Sequence, residues 1–421
     1  SAFLESAGYA DRTAIVTELF SVTSEPLRSN LPLPPTPFVG RDAELADLAR
    51  MIADPDCRLI TLIGPGGSGK TRLAAEAARK TPSAFADGVV FVGLAPLSSA
   101  EGVAQAVAAA LNLTLDGNLT PQAQVLRYVR QQALLLVLDN FEHLLTATNR
   151  PEPEPNHNPA ISLVTGILDQ APDAKMLVTS RARLDIRGEW TYDVDGLEMP
   201  TEEKAASMKH SVDAYGAPTL FVQTARRAQA GFAPAVADRA AILRICRMVN
   251  GMPLAIELAA AWVRVLSCNE IAEEIEESLG LLVTTQRDLP PRHRSMQAVF
   301  DHSWRLLSVE EQSVFARCSV FRGGFTREAA VEVAGASLPI LADLVDKSLL
   351  RRTQQERYDV HELARQFAAD RLAEAEQVLQ ARQRHLCYFM HFAEEAELQL
   401  WSGRHETDWL DRIECEHDNL R

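Results

Sequence analysis

The stretch Gly64-Pro65-Gly66-Gly67-Ser68-Gly69-Lys70-Thr71 constrains this chain more than any other. It follows the apolar run Leu59-Ile60-Thr61-Leu62-Ile63 and leads into Arg72–Arg79, which reads as a helix. A pattern G-x-x-x-x-G-K-[ST] between a strand and a helix is a phosphate-binding loop. Glycines at 64, 66, 67 and 69 let the backbone take positive φ and come close to an anion with no Cβ in the way. The freed N–H groups and the start of the helix then face that anion, with Ser68 and Arg72 beside them as further contacts. Lys70 is placed to reach β- and γ-phosphates, and the Thr71 hydroxyl to ligate Mg²⁺. Without its context the stretch would be a glycine-rich turn.

A length of 421 residues suits two to four domains. The formal charge of −15 argues against this chain gripping nucleic acid by itself. Six scattered cysteines with no CxxC predict a reducing, cytoplasmic setting. No signal peptide and no membrane-spanning apolar run is evident, so no membrane partner is expected. Starting at Ser1 rather than Met and finishing in a charged helical stretch, the chain is expected to be a piece of something larger.

Residues 1–30 carry an amphipathic stripe (Phe3, Leu4, Ile15, Val16, Leu19, Phe20) and then loosen into a proline-rich segment near 29–37, read as an extended linker. Asp42–Ala53 is amphipathic. Apolar strand-like runs recur at 59–63, 89–94, 133–138 and 176–179 with helical stretches between them, which indicates a parallel sheet covered on both faces. Thr146–Pro159, rich in proline, reads as an exposed insertion with no assigned role. Residues 201–217 form a polar connection, and 218–285 a set of amphipathic helices. Pro290-Pro291 marks a boundary, after which 292–370 mixes helices with a hairpin around Leu349–Val360 that suits a winged helix. From 371 the chain is long, charged and helical.

Two further strands complete the candidate site. Leu134-Leu135-Leu136-Val137-Leu138-Asp139 ends in an acid that can hold Mg²⁺ directly or through water. The next residue is Asn140, which cannot accept a proton at neutral pH, so Glu142 is the candidate base and hydrolysis is expected to be slow. Met176-Leu177-Val178-Thr179-Ser180-Arg181 delivers a guanidinium at a strand's C-terminal end, where ligands sit in open α/β sheets, and Arg181 could sense a γ-phosphate. As isolated residues, Glu142 and Arg181 would read as surface groups.

With Phe38-Val39-Gly40-Arg41-x-x-Glu44 ahead of the loop and Gly251-Met252-Pro253-Leu254-Ala255 after Arg181, the motifs resemble the STAND class of signalling NTPases. These are relatives of plant NB-ARC proteins and of bacterial AfsR- and MalT-type regulators. Arg292–Met296, Phe321-Arg322-Gly323-Gly324-Phe325, Leu344–Leu350 and Val360–Ala368 look like the bacterial ATPase module joined to AfsR- or LuxR-type regulators, over roughly residues 36 to 421. Glu414–Arg421 resembles the entrance to a tetratricopeptide array. Asn140 departs from the pattern, since NB-ARC relatives often carry a second acid there.

The resemblance implies a series of expectations. The fold would be a P-loop α/β domain (36–208), an all-α helical domain (209–289), a winged helix (290–370) and the start of a repeat sensor (371–421), preceded by a stub at 1–35. Val39, Gly40 and Arg41 would lie along adenine and ribose, and Pro253 would pack on the base. His361 would reach the β-phosphate of ADP; without the resemblance it reads as an ordinary histidine of an amphipathic helix. The function implied is a switch between an ADP-bound closed form and an ATP- and Mg²⁺-bound form that self-associates. An inducer would act on further C-terminal repeats. A constitutive ATPase doing mechanical work and a direct DNA-binding regulator are the alternatives.

Overall fold

A computed structural model describes residues 29–81, 84–145, 158–200, 215–277, 279–284, 294–353, 356–402 and 406–421. The N-terminal stripe before residue 29, most of the 146–159 insertion, the connection at 201–214 and the Pro-Pro boundary with Arg292 and His293 lie outside the described residues.

Five strands, β1 (Leu59–Ile63), β2 (Gly88–Gly93), β3 (Leu134–Asp139), β4 (Lys175–Ser180) and β5 (Glu189–Asp193), form one parallel sheet in the order β2-β3-β4-β1-β5. All residues of β1 and β3 are buried, which is why these strands read as unbroken apolar runs. Alternate side chains feed opposite faces. Leu134, Leu136 and Leu138 join Val90, Met176 and Val178 in one core; Leu135 and Val137 join Ile60, Leu62 and Leu177 in another. Helices α1 (Asp42–Ala53) and α2 (Lys70–Lys80) cover the second face. The first is covered by α3 (Val103–Ala110), α4 (Pro121–Val129) and α6 (Pro159–Gln170), with the short α5 (Glu142–Leu145) at the end of β3.

The fifth strand was not expected from the sequence. Glu189-Trp190-Thr191-Tyr192-Asp193 has no apolar run because it is an edge strand, with none of its residues fully buried. The proline-rich segment is non-helical, as its composition requires, and it is tied to the sheet. Asn30 exchanges two hydrogen bonds with the Phe91 backbone, and Arg79 and Arg72 donate to the carbonyls of Pro32, Thr36 and Pro37.

Beyond the sheet the described chain is mainly helical: α7 (Gly216–Ala228), α8 (Val236–Met248), α9 (Pro253–Ala260), α10 (Cys268–Glu277), α11 (Met296–Trp304), α12 (Val309–Cys318) and α13 (Leu338–Asp346). A two-stranded antiparallel hairpin, β6 (Arg351–Arg352) and β7 (Tyr358–Asp359), falls where the sequence places one. It precedes α14 (Glu362–Glu374), α15 (Val378–Ser402), α16 (Glu406–Cys415) and α17 (His417–Leu420). The helix starts are legible: Ser295 caps α11, and Ser308 with Glu311 forms a capping box on α12. One apolar core runs through this region from Leu197 to Trp409. Among the described residues no helix is long and apolar enough to cross a membrane.

Candidate phosphate-binding site

The loop between β1 and α2 takes positive φ at two of the four glycines expected to do so, and not at Gly64 or Gly66. Gly67 and Gly69 have φ of 84° and 92°. A Cβ at Gly64 would lie 2.5 Å from the Val194 carbonyl oxygen, so that position needs glycine for space. Lys70 folds back, its Nζ donating to the carbonyls of Gly64 (2.6 Å) and Pro65 (3.0 Å). Burial lowers its pKa to about 8, with Glu142 pulling it up and Arg181 pushing it down.

Asp139 ends β3, one strand away from β1, and reaches across β4. Its Oδ1 accepts from Thr71 Oγ1 at 2.6 Å and from Thr179 Oγ1 at 2.7 Å. The Thr179 hydroxyl also accepts from Asn140 N at 2.9 Å, fixing the turn where Asn140 has φ 68°. Burial raises the Asp139 carboxyl's pKa, against those two hydroxyl bonds. Thr179 was not among the residues singled out from the sequence; its only signal was its place two residues before Arg181. The Asn140 side chain turns to His143 Nδ1 at 3.1 Å.

Glu142 and Arg181 form a buried pair, Nε to Oε1 at 3.1 Å, with side chains 5% and 7% exposed. Burial pushes the Glu142 carboxyl up, but Arg181 and then Lys70 outweigh it, leaving the group below its ordinary value. Arg181 Nη1 donates to Val299 O at 3.1 Å and to Ser303 Oγ, so α11 shares this guanidinium. Helix α9 arrives beside it. Its first residue, Pro253, has Cγ 3.7 Å from where a Cβ on Gly69 would sit, and Leu254 N donates to Gly67 O at 3.3 Å.

The Phe38–Glu44 segment supports the loop from below. Arg41, itself at φ 65°, donates through Nη2 to Ser68 O (2.8 Å) and Asp195 O (2.6 Å), and through Nη1 to Glu44. Burial lowers its pKa, with Glu44 opposing. Val39 packs against the helical core, and Gly40 stands against Gly216, where a Cβ would come 3.2 Å from Gly216 Cα. Arg72 faces Glu257 of α9 at 3.9 Å.

His361 is placed elsewhere. Its Nδ1 accepts from Leu363 N at 3.1 Å, capping α14, and its Nε2 meets Val249 O at 3.2 Å, so the ring carries its proton on Nε2. Among the described residues no hydrogen bond joins it to the loop.

These residues fit a nucleoside phosphate. Ser68 Oγ is buried without a hydrogen-bond partner inside the loop, the backbone turns through positive φ at Gly67 and Gly69, and Lys70 supplies a cation. The adjoining Thr71 hydroxyl and Asp139 carboxylate are the donor set of a hard cation. Among the described residues no group of three or more His, Cys, Asp or Glu could hold a metal alone.

Comparison with known proteins agrees with the geometry. A family model described as an AAA domain matches residues 53–165. The regulatory protein AfsR of Streptomyces coelicolor is 24% identical over 379 residues, covering 85% of this chain and 34% of AfsR. An uncharacterized protein of Mycobacterium tuberculosis is 30% identical over 365 residues, covering 83% of this chain and 86% of that protein. The chain belongs to one family with that mycobacterial protein and carries a P-loop ATPase domain of the AAA type, and it is similar to AfsR. A putative HTH-type transcriptional regulator of M. tuberculosis is 34% identical over 374 residues, 86% of this chain. The chain spans only 39% of that relative's length. A STAND protein from Pyrococcus horikoshii with a tetratricopeptide repeat sensor aligns with 92% of this chain and 52% of its own, at TM-score 0.33 and 15% identity.

Proposed function

We propose that this chain is the nucleotide-controlled core of a signalling regulator, held closed by ADP and released in an ATP-bound form that self-associates. The observation that carries the reading is the roof over the phosphate loop. Helices α9 and α11, from the chain's later half, bear directly on Gly67 and on Arg181. A bound nucleotide can therefore set how the helical region sits on the sheet, a population shift between two arrangements.

In this reading Lys70, Ser68 and the glycines hold the phosphates, and Pro253 closes on the base. Val39, Gly40 and Arg41 support its binding edge, with Arg41 acting through the Ser68 and Asp195 carbonyls. Mg²⁺, held by Thr71 and Asp139, would offset phosphate charge. Glu142 Oε2 is buried and unpartnered, which suits a group that orients water. Its Oε1 is pinned by Arg181 and its basicity is reduced, which agrees with slow turnover. The 290–370 region, with its hairpin, is read as a winged helix serving as a lid, and 371–421 as the first helices of a repeat sensor. The relatives' regulatory names support an output in transcription, made through parts of the full protein other than this net-acidic chain.

The decisive experiment is to denature the freshly purified protein and identify the released nucleotide by chromatography. About one ADP per chain is expected. An empty site that turns over added ATP rapidly would overturn the switch and leave a constitutive ATPase.

A further inference from the structure

Helix α11 meets the phosphate loop where no sequence motif points. A Cβ added to Gly66 would lie 2.5 Å from Val299 Cγ1 and 2.8 Å from Arg181 Nη2, so these two side chains fill the space beside Gly66. Gly66 is thus covered by α11. The end of the loop, Gly67 to Gly69, is roofed by Leu254 and Pro253 of α9. Val299 and Ser303 stand four residues apart, one helical turn, on the same face of α11. Both are buried, and both hold Arg181: Val299 through its carbonyl, Ser303 through its hydroxyl. With Glu142 on Nε, the guanidinium is already committed to three protein acceptors.

We propose that Val299 and Ser303 set the discrimination between nucleoside diphosphate and nucleoside triphosphate in this site. Val299 is a specificity-determining residue that occupies the space beside Gly66. Ser303 is a positioning residue that keeps Arg181 turned toward α11. The inference deepens the nucleotide reading above and rests on it. Inner phosphates gather at the start of α2, where the free amides lie, and leave the Gly66 end undisturbed. A third phosphate extends the anion toward that end and attracts the guanidinium. To answer, Arg181 must give up charge-assisted hydrogen bonds to α11, and Val299 must withdraw. A ligand shifts an equilibrium only by its differential affinity for the two arrangements, and these contacts supply the difference.

The test uses the full chain stripped of nucleotide, with Ser303→Ala, Val299→Ala and Lys70→Ala variants. Fluorescent ADP and a fluorescent, non-hydrolysable ATP analogue are titrated with Mg²⁺, and thermal midpoints are recorded. The wild type is expected to prefer the diphosphate. Ser303→Ala should move the affinity ratio toward the triphosphate by about tenfold, the scale of one charge-assisted hydrogen bond. Val299→Ala, which keeps the carbonyl bond to Arg181 and removes only the side chain beside Gly66, should move it the same way by at least about threefold. A merely structural role would lower the midpoint and both affinities together, and an unmoved ratio in both variants overturns the proposal. If Ser303→Ala does not fold, Val299→Ala decides by itself. If the wild type binds neither nucleotide more tightly than Lys70→Ala does, the nucleotide reading itself fails. Tight, Lys70-dependent binding with an unmoved ratio removes the gauge alone.

Discussion

Lys70 is the residue whose protonation decides how the loop receives an anion. Among the described residues its hydrogen-bond partners are the carbonyls of Gly64 and Pro65, and burial brings its pKa to about 8. Near pH 8 the ammonium is therefore about half protonated. An arriving phosphate favours the charged form and must draw a proton from solution. Calorimetry of ADP binding at pH 8 should show an enthalpy that varies with the buffer's ionisation heat, and the variation should shrink at pH 6.5. Lys70→Met should abolish it; equal proton uptake in that variant would put the titration on another group. His361 shows the opposite consequence of burial. Its pKa falls to about 4 from 6.5, burial first and Arg351 next, against the Val249 bond, Asp359 and Glu362. A depressed histidine contributes its full stability above about pH 6.5 and loses it as pH falls toward 4. Lowering pH from 7.5 to 5 should cost the wild type a few degrees of melting temperature more than it costs His361→Asn, whose side chain can still cap α14. Parallel losses in the two proteins would show that the His361 pKa is the same folded and unfolded.

At the scale of elements, the turn leading into α9 is fixed to the segment after β5 by backbone contact. Leu197 N donates to Gly251 O at 2.7 Å, and a Cβ on Gly196 would run into the Asn250 carbonyl. Backbone cannot yield as a side-chain tip can, so Gly196→Ala should destabilise by about 3 kcal/mol. Denaturant unfolding measures this; a change below about 0.5 kcal/mol would mean the turn moves freely. The same region shows where sequence reading stops. Strands β1 to β4 were legible because burial on both faces forces apolar runs, and the loop because phosphate approach forces glycine. Strand β5 was not, since an edge strand can be built from Glu, Trp, Thr, Tyr and Asp. Asp139 was legible as an acid ending an apolar strand, whereas Thr179, which orients it, is an ordinary strand threonine. Val299 and Ser303 carried no signal because their contact with Arg181 spans more than 100 residues, and only the fold brings them together. Arg41 was recognised as part of a motif, but its bonds to Ser68 O and Asp195 O depend on a left-handed backbone that no pattern announces.

At the scale of the molecule, apolar packing is unevenly divided. The sheet keeps its own two cores, which end at Leu184 and Val194. One further core gathers side chains from Leu197 to Trp409, joining α7 through α16. Contacts across the divide include the Leu254–Gly67 bond, the Arg181 cluster and ion pairs such as Arg72–Glu257 and Arg183–Asp346. Separating covered apolar surface costs in proportion to its area, so parting within the helical core is far harder than parting along that divide. Among the described residues the helical half is thus joined by one continuous core. A push on α15 or α16 would reach the phosphate loop through that core, by way of Val299 beside Gly66.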